Sequence, residues 1–428
     1  SIEKKLAGAS WALQKLMGDS GIGDALRETF SSYKRHLKLA SLVIYMVIKR
    51  TNAMHHYEPF SKITWLPWSR PMNDGQITRL FQSVTYDEVI RFFNALNRNY
   101  CQKYGKDFYK RVFVALDSTS VSTYSNNLSM AENGHNKDGD DIPQINYMLV
   151  CDEVTGLPIY AKVYKGNVVD VTTVKNLLAE LKIMHSRVTS SNNKEDFVPT
   201  LIFVTDRGYD SEDNLQYYLI HHYSFVIRSM LRSKWVKDVL LENYDKLMED
   251  NSLDTYTSQH MCSAQVEYKY DDFPVDKKYK SNKATANISV HMYFDEKIRA
   301  NSRAVIKANT AVSRDEYNKL VDKLYAENET VTAKLLSELK LEDATKQKFV
   351  NHYCVFDSKG YAKISADKID EKLKFSGIMV LLSDAITDAK EAYFAYERRN
   401  TVESNFQIFK DHLNFDRIYS SSDRAFLG

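Results

Sequence analysis

Cysteine is sparse and scattered. The 428 residues hold only Cys101, Cys151, Cys262 and Cys354, with no CxxC and no paired spacing. That excludes a disulfide framework or a zinc ribbon and fits a reducing compartment. Glycine (14) and proline (7) are also scarce, which excludes a collagenous or low-complexity chain. Long hydrophobic runs are missing. Leu39 to Ile48, broken only by Ser41, reaches about half the length needed to cross a bilayer. Neither sign of charge dominates: 58 Lys+Arg face 56 Asp+Glu. The chain is therefore no polybasic nucleic-acid coat, although charge segregated along it would still permit nucleic-acid binding. No signal peptide opens the chain. It begins with Ser1 and stops at Gly428 on an apolar stretch, which suggests a fragment.

What is present is ordinary for a packed globular protein: 43% hydrophobic and 27% charged residues, with 28 tyrosines. The length implies two or three domains, or one large domain with an insertion. Residues 1–105 read as helical, with apolar residues at helical spacing in Ile22–Ile48 and Ile77–Leu96. The first fifty residues carry nine Lys+Arg against four acids. Five of these cations (Lys34, Arg35, Lys38, Lys49 and Arg50) lie in Ser31–Arg50, which has no acid. Such a cluster is either a solvated helix face or a DNA-contacting one.

The texture changes near Arg111. Val112–Leu116, Ile145–Val150 and Leu157–Tyr164 read as strands, the last two joined by a turn at Glu153–Gly156. Ser125 to Asp141 reads as a loop. Asp170 caps an amphipathic helix through Leu181, Leu201–Val204 is a strand, Ser211 caps a helix through Ile220, and Ser224–Ile227 is another strand. Three meander strands followed by alternating helix and strand is the order of an RNase H-like core. Residues 106–230 supply its first part. Residues 231–375 break the pattern and read as an α+β insertion, with strands at Ala264–Tyr270 and Ile288–Phe294 and a charged helical stretch at Arg314–Leu341. Residues 376–428 resume the core with a strand at Gly377–Leu382 and a long helix from Asp388 to His412. The fold class is thus α/β, a mixed sheet with flanking helices, interrupted by an insertion domain and preceded by a helical region.

Two acids follow β-rich runs: Asp117 after VFVAL and Asp206 after LIFVT. A carboxylate there points into the crevice where α/β sheets collect ligands. Either alone reads better as a helix cap or a turn residue, but two on neighbouring strands favour a divalent-metal site, because hard cations want carboxylate oxygens. On the last helix, Arg399, Glu403 and Lys410 are 3, 7 and 14 residues beyond Tyr396, so at about 100° per residue the four fall within roughly 60° of one another. That is either a solvated stripe with i,i+4 pairing or a polar face bordering the crevice.

These motifs together resemble the DDE transposases of the insertion-sequence 4 type. The resemblance is carried by Asp117-Ser-Thr, Asp206-Arg-Gly-Tyr209 and Tyr396-x2-Arg399-x3-Glu403-x6-Lys410. Gly134-His-Asn-Lys137-Asp138, Pro143-Gln-Ile-Asn, Gly166-Asn-x2-Asp170 and Phe375-x-Gly377 are similar to the insertion-sequence 1634 subgroup, which commonly has Ser where Asn136 stands. The resemblance covers about residues 107–428 and is less specific before them. It implies that Asp117, Asp206 and Glu403 bind two Mg²⁺ ions, with Mn²⁺ able to substitute, for cleavage at transposon ends and transfer of the freed 3′-hydroxyl to target DNA. It implies DNA contacts from Tyr396, Arg399, Lys410, Lys137 and Arg207. The partners it implies are terminal inverted-repeat DNA, target DNA and a second copy in a homodimer on DNA, with no membrane. The implied location is the bacterial cytoplasm, at the nucleoid when DNA-bound. The residues themselves support metal-dependent phosphoryl transfer. An RNase H-like nuclease without strand transfer, a domesticated DNA-binding protein and a hydrolase of small phosphoesters are the alternatives. An aromatic insertion residue holds a flipped base in hairpin-forming relatives. Trp235 is the tempting counterpart, though a core or surface Trp is the better reading of it and it is not counted among the site residues.

Overall fold

The structure is a computed structural model. It describes residues 4–104, 111–134, 142–153, 155–168, 200–271, 283–328, 330–415, 417–418, 420 and 422–427, with backbone only at 101, 104, 111, 112, 115–118 and 200. Lys137 and the helix capped by Asp170 lie outside the described residues. Among those described, no helix is long and apolar enough to cross a membrane.

The chain divides into two compact units. One comprises Ser1–Ser233, Gln265–Val290 and Leu381–Gly428; the other comprises Lys234–Ala264 and His291–Val380.

The first unit opens with six helices: α1 (Gly8–Asp19), α2 (Ile22–Thr29), α3 (Arg35–Lys49), α4 (Tyr57–Ile63), α5 (Asp74–Gln82) and α6 (Tyr86–Tyr104). The Ile22–Ile48 period is cut in two because Tyr33 and Lys34 adopt left-handed backbone, with φ of 51° and 55°. α5 starts in a capping box, in which Asn73 accepts from the Gln76 backbone and the Gln76 side chain accepts from the Asn73 N–H. Leu42, Ile44, Tyr45, Tyr57, Phe60, Ile77 and Leu80 bury the apolar faces of α3, α4 and α5 together. The cations of α3 are partly used inside the unit. Arg35 pairs with Glu88 at 2.7 Å, Lys38 Nζ lies 4.9 Å from the Trp68 ring centroid, and Lys49 Nζ lies 5.9 Å from that of Phe60. Arg35 is thus held in a pair within the unit, whereas Lys49 stays exposed.

A mixed sheet follows, built from β1 (Arg111–Ser122), β2 (Gln144–Asp152), β3 (Pro158–Lys165), β4 (Thr200–Thr205) and β5 (Ser224–Ser229). Its order is β3-β2-β1-β4-β5. β1, β2 and β3 form an antiparallel meander, and β1, β4 and β5 run parallel. The β-branched and aromatic runs explain the strands, and Ile202, Phe203 and Val204 of β4 and Phe225 and Val226 of β5 are fully buried. β1 is longer than its apolar run. It continues through Asp117 to Ser122, paired throughout with β2.

The second unit holds helices at Lys234–Glu242, Tyr244–Met248, Glu296–Glu327, Ala333–Glu338, Ala344–Tyr353 and Ala366–Lys372. The short strand β6 (Leu253–Asp254) pairs antiparallel with the start of β7 (Gln259–Asp271), and β9 (Cys354–Phe356) pairs with β10 (Ala362–Ile364). Tyr317, Val321, Val350, Cys354 and Ala362 form its core. The long helix begins at Glu296 rather than near Arg314, because Asp295 caps it by accepting from the Ile298 N–H. β7, β8 (Lys283–Phe294) and β11 (Ile378–Ser383) each contribute residues to both units.

Candidate active site

The register of β1 and β4 sets the level of the first two acids. Leu116 lies opposite Thr205 in the parallel pair, which is the last partnership of the two strands. Asp117 and Asp206 are the next residue on each. The sequence places Asp117 at a strand end. It instead lies where β1 loses β4 as a partner while keeping β2, and its side chain is outside the described residues.

Asp206 leaves β4 in extended conformation and enters a single tight turn, Arg207–Tyr209. Two contacts fix the turn: Tyr209 is buried, with its carbonyl accepting from Asn214, and Asp210 accepts from the Met230 backbone N–H. Arg207 is exposed.

The last helix brings the remaining groups. Asp388 caps it by accepting from the Glu391 N–H. Ala389, Ala392 and Ala395 give it a small-residue face that is buried. The helix is not the uninterrupted one the sequence implies. It runs Ala389–Arg398, tightens at Arg399 through Arg399-to-Tyr396 and Val402-to-Arg399 backbone bonds, continues as Asn400–Gln407, and ends in a π turn at Ile408–His412. Val402 and Phe406 pack on Cys151 beside Tyr147 and Leu149. Lys410 falls in the π turn and is half-buried, so the even angular step of a straight helix stops short of it.

Tyr396, Arg399 and Glu403 are brought together with Asp206. The Tyr396 hydroxyl donates to Asp206 Oδ1 at 2.8 Å. The Arg399 guanidinium lies 5.4 Å from the Tyr396 ring centroid and donates to Glu403 Oε1 at 2.7 Å. Arg399 is 7% exposed and Glu403 is 54% exposed at the side chain, so the pair runs from the interior to solvent. The face is not a solvated stripe, since Tyr396 and Arg399 are both buried.

Arg228, near the end of β5, joins the same cluster and is not singled out by the sequence. Its Nη1 donates to the Tyr396 hydroxyl at 3.4 Å, and its guanidinium lies 5.9 Å from that ring. The available signal was a lone cation following the apolar SFVI run.

Charge in the cluster favours an ionised Asp206. Burial works against ionisation. The Arg207 backbone N–H, the Tyr396 hydroxyl and the guanidinium groups of Arg399 and Arg228 outweigh it and hold the carboxyl below its usual range. Burial pushes the Tyr396 hydroxyl up, with Asp206 adding to the rise and Arg228 opposing it. Among the described residues no three His, Cys, Asp or Glu side chains converge as a metal cluster; the carboxylate set the sequence identifies includes Asp117. An ionised Asp206, linked through Tyr396 and Arg399 to a half-exposed Glu403, has the oxygen chemistry that hard divalent ions require, and no His or Cys in these motifs biases it toward zinc.

The family described as "Transposase DDE domain" matches residues 108–427. No curated protein matches the chain. Among solved structures, the cryo-EM structure of a piggyBac transposase synaptic complex with hairpin DNA aligns with 96% of this chain, at 10% identity and a TM-score of 0.36. The chain spans 62% of the length of that solved chain.

Proposed function

The chain belongs to the transposase DDE domain family, and from that premise we propose that it is a DNA transposase of the insertion-sequence 4 type, closest to the 1634 subgroup, built on an RNase H-like core. The observation that carries this reading is the Tyr396–Asp206 hydrogen bond, made beside the last shared register of β1 and β4. It ties the last helix to the level of both strand acids. Asp117, Asp206 and Glu403 would hold two Mg²⁺ ions, or Mn²⁺ in their place. Bound there, such ions activate a water or 3′-hydroxyl and stabilise the leaving 3′-oxygen of a phosphodiester.

The chain's own residues orient the DNA. Arg399 and Arg228 offer planar forks suited to phosphate oxygens, and Lys410 offers a point charge. Tyr396 holds the Asp206 carboxylate ionised, and both guanidinium groups lie near its ring. Arg207, exposed beside Asp206, and Lys137 add phosphate contacts. In the helical region, Lys34 and Arg50 flanking α3 are exposed and would meet phosphate in place of the paired Arg35. The DNA partners are terminal inverted repeats and a target duplex, bound by a homodimer.

Glu403→Gln tests the reading. Cleavage of end DNA in Mg²⁺ should fall at least about a hundredfold, while DNA binding persists because acids are not the phosphate contacts. Undiminished cutting would remove Glu403 from the site. Strand-transfer products with wild-type protein separate a transposase from a nuclease of the same fold.

A further inference from the structure

The turn between β2 and β3 is docked on the last helix by contacts that belong to neither the strand acids nor the phosphate-binding groups. Its described residues are hydrogen-bonded to one another. Asp152 accepts from the Thr155 backbone N–H at 2.7 Å and from the Thr155 hydroxyl at 2.5 Å, and the Gly156 N–H donates to the Asp152 carbonyl. Gly156 has φ of 69°, and a Cβ there would lie 3.2 Å from Thr401 Cγ2, so the residue serves both the turn and the close approach of the helix.

Three helix residues face this turn, at positions 398, 401 and 405, a spacing of one helix face. Asn405 Nδ2 donates to the Gly156 carbonyl at 3.1 Å and to Cys151 Sγ at 3.3 Å. The Thr401 hydroxyl donates to the Glu153 carbonyl at 3.3 Å. Arg398 Nε lies 3.7 Å from Glu153 Oε2, and the Glu153 side chain is fully buried. Among the described residues neither Glu153 carboxyl oxygen has a partner at hydrogen-bond distance. A buried acid with unsatisfied oxygens is costly to stability, and its place against the helix gives that cost a purpose. The contacts bracket the tightened turn at Arg399, one residue past Arg398 and four before Glu403.

We propose that Glu153 and Asn405 are positioning residues: through them the β2–β3 turn fixes the rotation of the last helix, and so directs Arg399 and Glu403 toward the level of Asp117 and Asp206. The proposal rests on the transposase reading of that site. Rotation of the helix by a fraction of a turn would swing Glu403 by more than the small misplacements that already reduce catalysis.

The test uses the full chain with Glu153→Ala, Glu153→Gln, Asn405→Ala and Glu403→Gln. Cleavage of end DNA gives kcat and KM, calorimetry gives Mn²⁺ affinity, and thermal melting reports stability. Asn405→Ala and Glu153→Ala should lower kcat about tenfold or more and weaken Mn²⁺ binding, with KM within about threefold of wild type. Glu153→Gln keeps the side-chain shape and should restore kcat to within about threefold. If Glu153→Ala does not fold, Thr401→Val removes one contact with little change of volume and should show the same split. The proposal is overturned if the variants lower the melting temperature while leaving kcat and Mn²⁺ affinity unchanged, or if Glu153→Gln is as damaging as the alanine. Retained cleavage in Glu403→Gln would instead bring down the site reading itself, whatever the other variants do.

Discussion

The hydroxyl of Tyr396 donates to Oδ1 of Asp206 at 2.8 Å, joining residues 190 apart in the chain. The bond connects the end of β4 to the last helix, and it does so with the acid ionised rather than neutral. A hydrogen bond to an ionised acceptor is worth more than one between neutral groups. Tyr396 therefore serves the carboxylate directly, and the Arg228 and Arg399 guanidinium groups, 5.9 and 5.4 Å from its ring centroid, keep cations close to Asp206.

Tyr396→Phe removes that bond and leaves the ring. The Asp206 carboxyl should move back up toward its usual range, because one of the groups lowering it is gone. The loss of a hydrogen bond to a charged group, about 1.5–3 kcal/mol, should reduce cleavage roughly ten- to hundredfold. The acid limb of the pH–rate profile should shift to higher pH. An unshifted acid limb would mean that Tyr396 does not stabilise the ionised carboxylate.

Arg228→Ala removes a cation that the sequence alone did not single out. If Arg228 meets a phosphate, affinity for end DNA should fall and the slope of log affinity against log salt should lessen by about one. Fluorescence anisotropy at several salt concentrations measures both. A weaker affinity with an unchanged slope would assign Arg228 to holding Tyr396 alone.

The strands of the meander and β4 are legible because their apolar runs are dense and bounded by turns, and the helix from Asp388 is legible from a pattern unbroken by glycine or proline. β1 was read short because its second half, Asp-Ser-Thr-Ser-Val-Ser, is polar; pairing with β2 holds it extended, and pairing is not visible in one segment. The tightening at Arg399 and the π turn after Gln407 were invisible because no glycine or proline marks them; both are shifts of backbone hydrogen bonding imposed by packing. Arg228 is not legible because the apolar run ends at Ile227, one residue before it. The role of Arg35 escaped because its acid partner lies 53 residues away.

That partner makes Arg35 a structural residue with a measurable effect. Glu88 accepts from the Thr85 N–H while Thr85 accepts from the Glu88 N–H, a capping box at the start of α6. Burial disfavours the Glu88 charge, and Arg35 together with Thr85 reverses this and holds the carboxyl below its usual range. Arg35→Ala leaves a largely buried carboxylate without its cation and should cost on the order of 2–3 kcal/mol, seen as a lowered urea midpoint. Its effect on DNA affinity should be small beside that of Arg228→Ala. A large loss of DNA affinity without loss of stability would return Arg35 to the DNA-contacting face.

Glu153 gives the stability of the protein a dependence on alkaline pH. Burial pushes its carboxyl up to about 9, against the pull of the Arg398 guanidinium, with Asp152 adding to the rise and Arg399 opposing it. In the unfolded chain the same group titrates near 4.3. Between those values the folded protein keeps a proton that the unfolded chain has released, so stability declines as pH rises through the interval and levels off above about 9. Glu153→Gln is neutral in both states and escapes the decline. Its advantage over wild type should be smallest near pH 5, grow steadily, and stop growing above roughly pH 9. Urea unfolding of both proteins across that range measures the gap directly. A gap independent of pH would mean that the carboxylate is ionised against Arg398 throughout. The turn would then be tied to the last helix by an ion pair rather than by the shape of a neutral acid.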